Sequence, residues 1–190
     1  MLLALLAFQS IAAEVGDAAP PIKVTDWIKG GPINFESHGT NVIVLDFWAT
    51  TCAPCRYSIP YLSDLQKRVR SRGVLIVGIA SEPVERVKTY LSKLDAPVEY
   101  AMAIDSRQQT TDAYLKGVGS QELPHAFVIN PEGKLVWHGN ATVALDKVLD
   151  QLLAGTLNAE SARRSIKAEE LTREYFRIVN TGRTNARTAE

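Results

Sequence analysis

The sequence predicts an α/β fold, a central mixed sheet flanked by helices with a C-terminal helical extension. Two patterns predict it. Short, almost continuously apolar runs alternate with segments whose apolar residues recur every three or four positions, as expected of buried strands covered by helices on both faces. The last two strand candidates are instead joined by a four-residue turn, so that pair is antiparallel and the sheet mixed. The chain has 190 residues, 46% of them hydrophobic and 22% charged, which suits one packed domain with a tail and argues against a mainly disordered chain.

Residues 1–13 (MLLALLAFQSIAA) form an apolar run that ends in small residues, and are expected to be a signal peptide or a short anchor. The run is shorter than the ~20 residues of a spanning helix, and no Lys or Arg precedes it. Export would place the chain in an oxidising periplasm or cell envelope, where a cysteine pair can cycle. Residues 14–155 are read as the domain. Residues 14–21 are a lead-in, and residues 22–24 and 33–35 are expected as short strands around the turn Lys29-Gly30-Gly31-Pro32.

Residues 41–48 (NVIVLDFW) read as a buried strand interrupted by Asp46. After Cys55, Ile59, Leu62, Leu65 and Val69 fall at helical spacing, with Gly73 as the stop. Residues 74–80 (VLIVGIA) are a second buried strand, and residues 82–94 a helix with Pro83 near its start. Residues 98–104 are a third strand candidate, followed by a short helix over 108–115. Residues 126–129 and 134–137 flank the turn Asn130-Pro131-Glu132-Gly133. Thr142 is expected to cap a last core helix that ends at Gly155. Residues 156–190 carry seven Arg/Lys against five Glu and read as a solvated helical extension with a disordered end from Asn180.

Lys+Arg and Asp+Glu are both 21, so charge gives no reason to expect nucleic acid as a partner. Cys52 and Cys55 are the two cysteines. They cannot complete a four-thiolate zinc site, and His38, His125 and His138 stand at no finger spacing. The pair lies where a buried strand ends and a helix opens. Unpaired N–H groups and the helix dipole there favour a thiolate at Cys52. Two intervening residues let one turn bring both sulfurs together, with Cys52 placed to attack and the more buried Cys55 to resolve the mixed disulfide. Pro54 shapes the helix start. An acid such as Asp46 in an apolar strand has a raised pKa and can relay a proton to or from Cys55.

The segment FWATTCAPCR resembles the active-site segment of the thioredoxin superfamily, in particular its exported TlpA- and ResA-like thiol–disulfide branch. The resemblance covers roughly residues 18–153 and implies a thioredoxin-like fold. It implies Cys52 as nucleophile, Cys55 as resolving thiol, and Asp46 as the buried acid six residues before Cys52. Pro60 matches a kinking helix proline. Leu123-Pro124-His125 matches the segment where the family places a cis-proline facing the disulfide, leaving the Leu123 backbone free to pair with substrate. Trp48, Ala53, Pro54, Leu123, Pro124 and His125 are therefore the expected substrate contacts. Thr51 stands where the family commonly has Trp, His125 where Thr is commoner, and residues 74–80 lack the usual lysine.

The expected function is thiol–disulfide exchange with the thiols and disulfides of protein partners. Its expected direction is disulfide reduction, recharged by a membrane-bound thiol protein as electron donor. No cofactor beyond the Cys52–Cys55 disulfide is expected, because the pair itself carries two electrons, and no metal. Two alternatives stay open: a thiol oxidase of the same fold, and a copper metallochaperone holding metal between the cysteines and His125. A peroxidase is disfavoured, since no Pro-x-x-x-Thr-x-x-Cys arrangement contains Cys52.

Overall fold

In a computed structural model of the chain, residues 14–35 and 39–187 are described, the last eight as backbone. The expected signal peptide or anchor at residues 1–13 lies outside them. Six strands form one mixed sheet: β1 (Asp26–Lys29), β2 (Val42–Phe47), β3 (Val74–Ala80), β4 (Ala101–Ile104), β5 (His125–Ile129) and β6 (Leu135–Gly139). Their order is β1-β4-β3-β2-β5-β6. The three central strands β4, β3 and β2 run parallel, and β1, β5 and β6 are antiparallel to their neighbours.

The helices are α1 (Cys55–Val69), α2 (Val84–Leu91), α3 (Gln109–Leu115), α4 (Ala141–Leu153) and α5 (Ala159–Arg187). Every residue of β2 is buried, because both sheet faces are covered. One face carries Val42, Val44 and Trp48 against α1, α2 and α4. The other carries Ile43, Leu45 and Phe47 against α3 and the segment around residues 19–35. The pleat sends alternate side chains to opposite faces, so the two clusters interleave along the strand.

A buried glutamine fastens α1 to the sheet. Gln66 donates from Nε2 to the Val74 carbonyl (2.9 Å) and accepts at Oε1 from the Ile76 N–H (2.7 Å). Gln66→Leu would strand both β3 groups. The expected loss is about 2 kcal/mol, read by denaturant unfolding at unchanged slope.

Several expected elements differ. Residues 22–24 and 33–35 are not strands; β1 lies between them. Ile22 and Val24 do pack into the core, but Lys23 bonds through its N–H and carbonyl to the Thr110 hydroxyl rather than to a ladder. The third strand begins at Ala101 rather than at residue 98. The backbone before it is claimed by side chains: Ser63 receives the Glu99 N–H and Arg70 binds the Glu99 carbonyl. The α2 helix is shorter than expected, with Pro83 as its N-cap. Asn140, not Thr142, caps α4, its side chain accepting from the Thr142 N–H and hydroxyl.

The lead-in is ordered, since Gly16, Asp17 and Ala19 exchange backbone hydrogen bonds with Gly133 and Leu135 along β6. The α5 helix lies over β6 and continues to Arg187, past the disordered end expected from Asn180. It buries Ala162 and leaves Leu171, Tyr175, Phe176 and Ile178 exposed. No described helix is long and apolar enough to cross a membrane.

Candidate active site

The two cysteines are joined where the chain leaves β2 and enters α1. Their sulfurs are bonded at 2.02 Å and their Cα atoms lie 5.3 Å apart. Cys55 is the first residue of α1, with Pro54 as N-cap, and is fully buried. Cys52 stands just before the helix and is half-buried, among exposed Thr51, Ala53 and Pro54. The Cys55 N–H points at the Cys52 sulfur (3.2 Å). An N–H at a helix start stabilises negative charge on that atom, so Cys52 is the sulfur favoured as thiolate and the one solvent can reach.

The loop ahead of Cys52 is held by a residue outside the motif. Glu82, just after β3, accepts from the Thr50 N–H (2.6 Å) and the Thr50 hydroxyl (2.7 Å). The Cys52 N–H bonds to the Ala49 carbonyl (3.1 Å). Sequence reasoning missed Glu82, for it lies 32 positions from Thr50 and carries no local signature. Glu82→Ala is expected to loosen the approach to Cys52 and lower kcat/KM for disulfide exchange about tenfold while the protein stays folded. Steady-state kinetics and a thermal melt check both parts.

Asp46 is fully buried in the middle of the sheet, between Gly78 of β3 and Ala126 of β5. It alternates with Val44 and Trp48 on the face that packs against Cys55. Among the described residues neither carboxylate oxygen has a hydrogen-bond partner. Burial pushes its pKa up to about 8. The neighbouring position on β3, opposite Asp46, is Gly78, in keeping with the missing lysine.

Trp48 is almost fully buried and packs on Tyr90, with ring centroids 5.6 Å apart. The Leu123–Pro124 peptide is cis and leads into β5, which pairs with the end of β2 beside the cysteines. Phe47, Trp48, Ala49, Leu115 and Leu123 help line an apolar cleft of about 310 Å³ at this end of the sheet.

His125 departs from expectation. Strand alternation puts Ala126 on the Cys55 face and His125 on the opposite one, against Phe127 and His138. Its Nδ1 meets the Ser120 hydroxyl (3.3 Å) and its Nε2 meets His138 Nδ1 (3.2 Å). The α5 helix closes over this pair with Glu169, Glu170 and Arg173. Burial first, then the neighbouring His138 and Arg173, pulls the His125 pKa down to about 3, so the ring is neutral. His125 thus lies on the sheet face opposite Ala126 and Cys55, with its ring nitrogens against Ser120 and His138. Among the described residues no three His, Cys, Asp or Glu side chains stand close enough together to hold a metal ion.

A half-exposed sulfur bonded to a buried one, at a helix start beside a cis-proline loop, on a mixed sheet, defines a thioredoxin-like thiol–disulfide oxidoreductase. The chain belongs to the AhpC/TSA family, whose model matches residues 15–138. Over 124 residues it is 31% identical to the thiol–disulfide oxidoreductase ResA of Bacillus anthracis, covering 65% of this chain and 68% of that protein. It is 27% identical over 165 residues to protein FixW of Rhizobium leguminosarum, covering 83% of this chain and 74% of that one. Among solved structures it resembles a candidate thiol:disulfide interchange protein, DsbE, from Chlorobium tepidum. That match has a TM-score of 0.60 and 26% identity, covering 76% of this chain and 99% of the other.

Proposed function

We propose that this protein reduces disulfides of protein partners in the cell envelope, with Cys52 as attacking thiolate and Cys55 as resolving thiol. The carrying observation is the Cys55 N–H aimed at the half-exposed Cys52 sulfur. In the reduced protein the Cys52 thiolate attacks a partner disulfide. One partner sulfur leaves with the electron pair, and Cys52 is joined to the other. Asp46, in its carboxylate form, takes the proton of Cys55. The Cys55 thiolate then attacks the Cys52 sulfur, and the second partner sulfur leaves and takes up a proton. The first partner thiolate takes its proton from water, in place of the one Cys52 released on ionising, and Asp46 gives up the proton of Cys55, so the partner gains two electrons and two protons as the Cys52–Cys55 disulfide is restored.

The exposed Ala53 and Pro54 and the apolar cleft with Trp48, Leu123 and the adjoining Pro124 supply the surface on which a partner chain rests. No cofactor is required beyond the cysteine pair. A membrane-bound thiol protein returns the electrons, and residues 1–13 direct export or anchor the chain. The similarity to proteins named thiol-disulfide oxidoreductase ResA supports exchange chemistry at the cysteine pair.

Equilibration of the pair in dithiothreitol redox buffers, read by thiol alkylation, tests the direction. The expected potential lies near the about −270 mV of thioredoxin rather than the about −120 mV of DsbA. A value near the second makes the protein an oxidase instead.

A further inference from the structure

Six buried side-chain polar atoms lack a hydrogen-bond partner among the described residues, and four of them belong to Asp46, Trp48 and Tyr100. Such atoms are normally paired because an orphan costs stability, so their gathering on one sheet face next to Cys55 calls for a purpose.

The approach of Tyr100 to Asp46 is set by a glycine. Gly78 is the β3 neighbour of Asp46 in the parallel ladder. A Cβ there would come within 3.1 Å of Tyr100 Cε2 and 2.5 Å of Met102 Sδ. The space beside the aspartate is therefore filled by the edge of the phenol ring, at the carbon next to the one that bears the hydroxyl. Adjacent strands are only about 4.8 Å apart. Tyr100 is 2% exposed, and its hydroxyl, like the Asp46 carboxylate, is out of reach of bulk water. Burial, and after it the charge of Asp46, hold the phenol pKa well above its ordinary value. It therefore stays protonated and can donate. The titratable groups facing this pocket are Cys55 from α1 and, on the far side of Tyr100, Tyr90 from α2. Burial is the cause of the rise at Asp46.

We propose that Tyr100 is a positioning residue of the exchange reaction: unpaired beside the unpaired Asp46 in the disulfide form, its phenol donates a hydrogen bond to the carboxylate once Asp46 ionises and so sets how readily Asp46 takes the proton of Cys55. This rests on Asp46 being the proton acceptor. A donor that stabilises the carboxylate lowers the pH at which Asp46 ionises. The resolving step then runs at a lower pH than burial alone would permit. The phenol gives up no proton; the one that moves goes from the Cys55 thiol to Asp46.

The resolving step can be isolated. Reduced protein mixed rapidly with the aromatic disulfide of thionitrobenzoate releases one yellow anion as Cys52 attacks and a second as Cys55 displaces the remaining one. The pH dependence of the second phase is compared in the wild type, Tyr100→Phe, Asp46→Asn and the double variant. The expected result is an acid limb that Tyr100→Phe moves up by about one pH unit. Asp46→Asn moves the limb up to the ionisation of the Cys55 thiol itself, and Tyr100→Phe adds nothing in the Asp46→Asn background. A limb that stays put in Tyr100→Phe overturns the role of Tyr100 and leaves Asp46 standing. A limb left in place by Asp46→Asn overturns the reading of Asp46 itself.

Discussion

Cys52→Ser is expected to abolish disulfide exchange, with a loss of kcat/KM on the order of 10³-fold or more. A hydroxyl in place of the thiolate can neither attack a disulfide at neutral pH nor form a mixed disulfide. The fold should survive. The bond it removes closes a short loop, worth about 2 kcal/mol in loop-closure entropy. Cys52 itself is half-buried beside exposed residues, so little packing is lost. Turnover of a protein disulfide with dithiothreitol as reductant, together with a thermal melt, separates lost chemistry from lost structure. Cys55→Ser should behave differently: the first attack is retained and the resolving step is lost.

Asp46→Asn should make the oxidised protein more stable in base while slowing exchange. In the folded chain burial pushes the carboxyl pKa up to about 8, against 3.8 for an ordinary aspartate. Between those values the folded state holds a proton that the unfolded state has released. Stability contributed at this site is therefore full at low pH and lost as pH rises through that window. By pH 8 the loss amounts to about 5 kcal/mol. Asparagine does not titrate, so the slope disappears. Its amide still lacks partners in this pocket, which leaves an expected net gain of ~3 kcal/mol at pH 8. Urea unfolding of the two oxidised proteins from acid to pH 8 measures the slope. Parallel curves for wild type and variant would contradict the account.

The parts legible in the sequence were those whose signal is local. The β3 strand is a seven-residue apolar run with the predicted bounds, and α1 is marked by its apolar spacing and by Gly73, which takes φ +77° at the stop. The cysteine pair, Asp46 and Pro124 sit in contiguous motifs, so their placement at one end of the sheet could be anticipated. What was missed depends on contacts between distant segments. The alternation of Ile22 and Val24 reports burial, but the Thr110 side chain takes the backbone bonds a strand would need. His125 was read by adjacency to Pro124, whereas one step along a strand reverses the face. Its surroundings come from α5, which no pattern near His125 reveals. Glu82 and Tyr100 become visible only when β3 and β4 are laid beside β2.

Exchange through Cys52 is tested most directly by trapping. Cys55→Ser protein, reduced and incubated with a disulfide-bonded protein, should form a stable one-to-one covalent adduct that dithiothreitol releases. Peptide mass spectrometry should place the bond on Cys52. No adduct, or a bond to the partner formed equally well by Cys52→Ser protein, would contradict it.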